Sequence, residues 1–194
     1  MTFTKPRFAS FEAYLMAEAS NLPEGRCEYW DGELVSVMSE SLENEAIANY
    51  LYLLLVQTGV YHKLLSPGKV EIVVNGRPRT RFPDLTLLDD AHLVLMESST
   101  RLGAAMPPPR LVVEVVSPGD ENSENYIRDY QDKRNQYADR GIPEYWLIDP
   151  QRSWVMVGTL VSGTYQFVTY QGDDAIASPT FPELNLTAAQ VLAG

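Results

Sequence analysis

The segment Arg110–Pro150, RLVVEVVSPGDENSENYIRDYQDKRNQYADRGIPEYWLIDP, constrains the fold more than any other stretch. An aliphatic run, Leu111–Val116, is broken by Pro118 and Gly119. A polar, Tyr-rich stretch follows up to Gly141-Ile142-Pro143, and a second apolar run, Tyr145–Ile148, stops at Asp149-Pro150. This is a strand, helix, strand pattern whose strands are apolar enough for burial on both faces. The long helix between them is a crossover, which predicts that the two strands lie parallel. One acid, Glu114, interrupts the first run. A carboxylate inside such a strand is costly unless it is hydrogen-bonded, paired or metal-bound, so Glu114 requires a chemical explanation.

The flanking sequence supplies the remaining elements. Residues 8–20 read as a short helix capped by Ser10, with Phe11, Tyr14, Leu15 and Ala19 on one face, ended by Pro23 and Gly25. CEYWDGELVSVMS reads as a hairpin turning at Asp31-Gly32. SLENEAIANYLYLLLVQTG reads as a helix with Ser41 as N-cap, Glu43 and Glu45 in its first turn and Gly59 at its end; Ile47, Leu51, Leu54 and Leu55 form its buried face. VYHKLLS and KVEIVVN are expected as strands around Pro67-Gly68, and PDLTLLDD as another, opened by Pro83. Residues 91–109 hold a short helix and then PPP, an exposed connector. SWVMVGTLVSGTYQFVTY reads as a hairpin about Ser162-Gly163, either a sheet extension or a dimer face, and FPELNLTAAQVLAG as a turn and a short helix. The expected fold class is mixed α/β in one domain. Its core spans about 42–150 in the order helix, three strands, helix, strand. A helix and hairpin (8–39) precede it, and a hairpin and tail (151–194) follow.

Two acids lie where chemistry is plausible on physical grounds. Asp84 opens one strand and Glu114 lies within the next strong one; carboxylates on neighbouring strands suit a hard divalent cation such as Mg²⁺, which takes oxygen ligands and keeps several waters. The competing reading has Asp84 capping a strand and Glu114 paired with an arginine. On the crossover helix, Tyr126, Tyr130, Lys133 and Tyr137 recur at i, i+4, i+7 and i+11. Ile127, Arg134 and Ala138 extend that face, while Arg128, Asp129, Asp132 and Asp139 are expected away from it. Lys133 lies at the edge of the stripe and Arg134 nearer its centre. Either could place a cation beside the acids; alternatively, the Lys133 stem packs on tyrosines with its ammonium in water.

Composition bounds the partners. Fifteen Lys and Arg against 26 Asp and Glu give a formal charge of −11, which argues against broad electrostatic binding of nucleic acid. NGRPRTRFPD nevertheless sets Arg77, Arg79 and Arg81 at alternate positions before Asp84. On a strand they would point one way, as phosphate contacts or as a solvated face. No apolar stretch approaches the roughly 20 residues of a membrane span, the N-terminus lacks a cleavable hydrophobic core, and Cys27 is alone. A cytoplasmic protein without disulfides is expected. His62 and His92 are isolated, which favours ordinary structural roles over metal binding.

RFPDLTLL, PRLVVEVVSP and DYQDKRNQYADRGIPEYWLIDP, with the hairpin CEYWDGELVSVMS, resemble the Uma-type family of bacterial restriction endonucleases, a domain of unknown function. The resemblance runs from about Glu28 to Pro150. It implies a PD-(D/E)XK nuclease core and Mg²⁺- or Mn²⁺-dependent hydrolysis of DNA phosphodiesters. Residue by residue, it implies that Asp84 and Glu114 bind the metal. The lysine usual two residues after the second acid is replaced by Val116, so the following helix supplies the substitute, pointing to Lys133 over Arg134. Glu28 and Glu45 are candidates for an additional acid, against surface or capping roles. Asn44 stands where similar sequences often carry a histidine. Nucleases of this kind often cut both strands as dimers, which makes a homodimer the expectation. The alternative is a catalytically inactive nuclease fold acting as a binding or assembly module, motivated by the acidic charge; a hydrolase with another substrate is a third reading. The position of the Lys133 ammonium relative to the acids discriminates.

Overall fold

The computed structural model describes residues 7–37 and 41–194. Met38 and Ser39 of the expected hairpin, and the side chain of Ala19, lie outside the described residues. The chain begins with α1 (Phe11–Leu15), whose N-cap Ser10 accepts from the Ala13 amide. The hairpin β1 (Cys27–Trp30) and β2 (Glu33–Ser36) comes next. It turns through Asp31 and Gly32, both at positive φ, the backbone that Asp-Gly adopts readily. Phe11, Tyr14, Cys27, Tyr29, Leu34 and Val73 form a small apolar cluster of their own. Leu15, expected on the buried face, is exposed at the last residue of the helix, where only Phe11 and Tyr14 are buried.

The core opens with α2 (Leu42–Gln57), capped by Ser41 as expected, burying Ile47, Ala48, Leu51 and Leu55. Next come β3 (Leu65–Pro67), β4 (Glu71–Val73), β5 (Thr80–Arg81), β6 (Leu85–Leu87), α3 (Asp90–Leu95), β7 (Arg101–Leu102) and β8 (Leu111–Val115). The crossover is α4 (Glu124–Ile127), a π-helical turn over Arg128–Asp132, and α5 (Lys133–Asp139), ended by Gly141 at positive φ. β9 (Glu144–Asp149), the hairpin β10 (Trp154–Val161) and β11 (Thr164–Gln171), and α6 (Ala188–Leu192) complete the chain.

Six strands form the main sheet in the order β11-β10-β9-β8-β6-β3. β8 and β9 are parallel, with Leu111 opposite Glu144 and Val115 opposite Ile148, as the crossover requires. The other neighbouring pairs are antiparallel. The C-terminal hairpin extends the sheet by pairing β10 with β9. Three expectations are adjusted. VYHKLLS is extended only at Leu65–Pro67, because His62–Leu64 forms a 3₁₀ turn. The KVEIVVN strand joins a separate sheet, β5-β4-β7, so the main-sheet strands before the crossover are β3, β6 and β8. The PPP connector is tied down rather than loose: Pro109 is buried, and Arg140 donates to the carbonyls of Gly103 and Met106. His92 takes a structural part there. Its Nδ1 accepts from the Asp89 amide, which leaves Nε2 to donate to the Pro107 carbonyl at 3.0 Å.

Candidate active site

The antiparallel register of β6 and β8 pairs Leu85 with Val113. Continued by one residue, it sets Asp84 opposite Glu114, and directly opposed residues share one face of a sheet. Both acids are buried, Glu114 to 1 % exposure. The Val115 amide donates to Asp84 Oδ2 at 2.7 Å, locking the first acid onto the strand of the second. The Val115 carbonyl accepts from Asn44 Nδ2 at 3.1 Å, so position 44, near the start of α2, is anchored to the same strand end.

The crossover helix supplies the groups facing Glu114. Lys133 Nζ lies 2.7 Å from Glu114 Oε2, and the Tyr137 hydroxyl donates to Oε1 at 2.5 Å. Lys133 Nζ also lies 2.8 Å from Asp129 Oδ1. Arg128 grips the Asp129 carboxylate with Nε and Nη2, each at 2.9 Å, and extends Nη2 to Ser117 Oγ at 3.4 Å. Asp129, expected away from the buried face, is 1 % exposed. It stands four residues before Lys133, a spacing that puts the two on one side of a helix. The π-helical turn over Arg128–Asp132 takes up about one extra residue and rotates the next part of the helix. The predicted stripe is thereby split. Tyr126 and Tyr130 stack on each other at 4.2 Å, and the Tyr130 hydroxyl donates to Asp149. Asp129, Lys133 and Tyr137 instead converge on Glu114. An Asp four residues before a Lys is a helical pair signal that could have flagged Asp129.

The electrostatics arise from this burial. Desolvation pushes the Glu114 carboxyl up; the Lys133 ammonium opposes the shift and the Asp129 carboxylate adds to it. Burial disfavours the Lys133 ammonium, yet Asp129, Glu114 and Asp84 outweigh it and hold the proton. Burial likewise raises Asp129, but Lys133 and Arg128 together leave its carboxyl below the usual range. The Tyr137 phenol, raised chiefly by burial and further by Glu114, stays a donor. Lys133 thus faces three carboxylates, Asp129, Glu114 and Asp84, and Arg128 adds a second cation at Asp129.

This donor set fits a hard divalent cation. Asp84 and Glu114 present carboxylate oxygens from adjacent strands, each with lone pairs beyond one hydrogen bond. Among the described residues, no cluster of three or more His, Cys, Asp or Glu is arranged as a metal cage; a pair of carboxylates completed by water is the coordination Mg²⁺ accepts.

The other expected residues go elsewhere. Arg134 stacks over Phe167 at 5.1 Å and donates to the Tyr165 carbonyl, so Lys133, not Arg134, reaches the acids. Glu28 is bound through both oxygens to Arg81 Nη1 at 3.2 Å, and Arg81 Nε donates to Gln136 at 2.7 Å. Glu45 is exposed in the first turn of α2. The shared arginine face is corrected: only Thr80–Arg81 is strand, and alternation holds only within a continuous strand. Arg77 is exposed and pairs with Asp31 at 3.0 Å. Arg79 lies over Phe11 at 4.0 Å. Arg81 is buried at 1 % exposure and committed to Glu28, which removes it from the phosphate-contact set.

Comparison with known proteins extends the resemblance. A protein from Anabaena variabilis ATCC 29413, described as "a putative nuclease belonging to DUF820", matches with a TM-score of 0.68 and 15% identity, over 94% of this chain and 96% of that one. At 15% identity the likeness is one of fold. No curated protein matches the chain. Among the described residues, no helix is long and apolar enough to cross a membrane. The profile of the Uma2 family, described as "Putative restriction endonuclease", matches residues 11–189, so the chain belongs to the Uma2 family.

Proposed function

We propose that this chain is a Mg²⁺-dependent endonuclease that hydrolyses DNA phosphodiesters at Asp84, Glu114 and Lys133. The observation that carries the reading is the Lys133 ammonium held 2.7 Å from Glu114, the acid that faces Asp84 across two strands. Asp84 and Glu114 would hold the metal, Mg²⁺ or Mn²⁺, with water completing its shell. The metal, when bound, acidifies a water and offsets charge on the phosphodiester. Lys133 orients the attacking water and stabilises negative charge as it develops. Tyr137 fixes the Glu114 carboxylate, and Asp84 is fixed by the Val115 amide. The family description and the nuclease neighbour support nucleic acid as substrate. A homodimer would give each DNA strand its own active site.

The position of Lys133 weighs against the binding-module reading, which an ammonium in solvent would have favoured. The test is calorimetric titration of Mg²⁺ and Mn²⁺, followed by plasmid nicking. Wild type is expected to bind metal and nick. Asp84→Ala and Glu114→Ala are expected to lose about 10²–10³-fold or more in cleavage while keeping the fold. Unchanged cleavage in either variant overturns the assignment. Failure of wild type to bind metal, alone or with DNA, returns the chain to the binding-module reading.

A further inference from the structure

Asp129 and the π-helical turn that carries it have no part in the chemistry assigned to Asp84, Glu114 and Lys133. We propose that Asp129 is the positioning residue for Lys133, a reading that rests on the proposed nuclease site. A lysine stem has four flexible carbons, so one contact with Glu114 leaves the ammonium free to swing. Asp129 Oδ1, 2.8 Å from Nζ, is a second anchor on the same helix. The anchor is itself held. Two Arg128 nitrogens grip the carboxylate, and the Tyr145 hydroxyl donates to the Asp129 carbonyl at 3.1 Å. Arg128 also reaches Ser117, just beyond the strand that bears Glu114, so the anchor is tied to the site from both sides.

The chemistry explains why a separate anchor is useful. A cation shared by Asp84 and Glu114 would draw on the same Glu114 carboxylate and repel the ammonium beside it. Asp129, outside that pair, provides Lys133 with a fixed counter-charge that the cation does not compete for. Asp129 and Lys133 stand at i and i+4, the spacing that puts two side chains on one side of a helix, and the pair spans the π-helical turn.

The experiment uses full-length protein labelled with ¹⁵N-lysine. The chain has four lysines, and only an ammonium held by fixed acceptors exchanges slowly enough to give a sharp side-chain resonance; its loss in Lys133→Arg assigns it. In Asp129→Asn, of nearly the same size but uncharged, this resonance is expected to broaden away. kcat for nicking is expected to fall about 10- to 100-fold with little change in KM for DNA or in Mn²⁺ affinity. Asp129→Glu, larger but charged, is expected to keep the resonance and recover part of the rate. A packing role predicts the reverse order, with Asn better tolerated than Glu, and that order overturns the proposal. So does an unchanged resonance in Asp129→Asn. If Asp129→Asn fails to fold, Asp129→Glu decides alone: a retained resonance supports the anchor, and its loss in folded protein refutes it. If wild type does not nick but the resonance still depends on Asp129, the nuclease reading fails and the anchor stands.

Discussion

Glu114 and Glu144 lie on adjacent strands of one sheet and are equally buried, at 1 % exposure each, yet their surroundings differ in kind. Glu144 is surrounded by neutral donors. The Trp146 indole donates at 2.5 Å, the Ser178 hydroxyl at 2.7 Å and the Thr180 amide at 2.7 Å. Its charge is spread over dipoles, and the result is a clamp that binds the C-terminal segment to the start of β9. Glu114 has an ammonium, a phenol and two further carboxylates as neighbours. Burial by itself therefore demands hydrogen bonds and nothing more. Crowded like charges around one cation are the surroundings that the proposed metal site calls for.

Mutations can break or sharpen this contrast. The largest effect is expected at Glu114, where alanine removes metal binding and cleavage. Glu144→Ala is expected to spare both and to lower stability by about 2–4 kcal/mol, because two buried donors and a partly buried one lose their acceptor. The urea midpoint reads the stability loss, and metal titration of the same variant checks the separation. Loss of metal binding in Glu144→Ala would erase the distinction between the two glutamates. Tyr137→Phe removes one hydrogen bond to Glu114 while keeping the ring. A loss of about 1–2 kcal/mol in thermal unfolding is expected, with metal affinity lowered less than in Glu114→Ala. Arg134→Ala is the smallest perturbation, costing about 0.5–1 kcal/mol of cation–π packing. Its nicking rate should match wild type within about twofold, and a larger drop would show that the wrong helix cation has been placed at the acids.

Much of the architecture was legible because it is written in local pattern. The aliphatic run with its single acid, the Asp-Gly turn and the Ser41 cap all appear where expected. So does the parallel pairing across the crossover. The candidate site was half legible. Asp84 and Glu114 stood out as acids in apolar strands, whereas Lys133 and Arg134 are adjacent residues on one helix and differ in direction only once the helix is docked. Asp129 lies outside a stripe centred on the tyrosines, although its spacing of four residues from Lys133 puts the two side by side on a helix. The three arginines alternate in sequence, but alternation sets direction only within a strand, and this segment is strand for two residues only.

The residues alone determined the element types, the crossover and the presence of an acid that demands an explanation. Each of these comes from periodicity, turn chemistry and the cost of burying charge, which need no knowledge of distant partners. Only the tertiary structure decided which cation meets that acid and what holds the cation in place. It also decided that Arg81 serves Glu28, 53 residues away in sequence, rather than a phosphate. The reason is geometric: one π-helical turn redirects the rest of its helix, and a side chain's partner is fixed by the packing of elements remote in the chain.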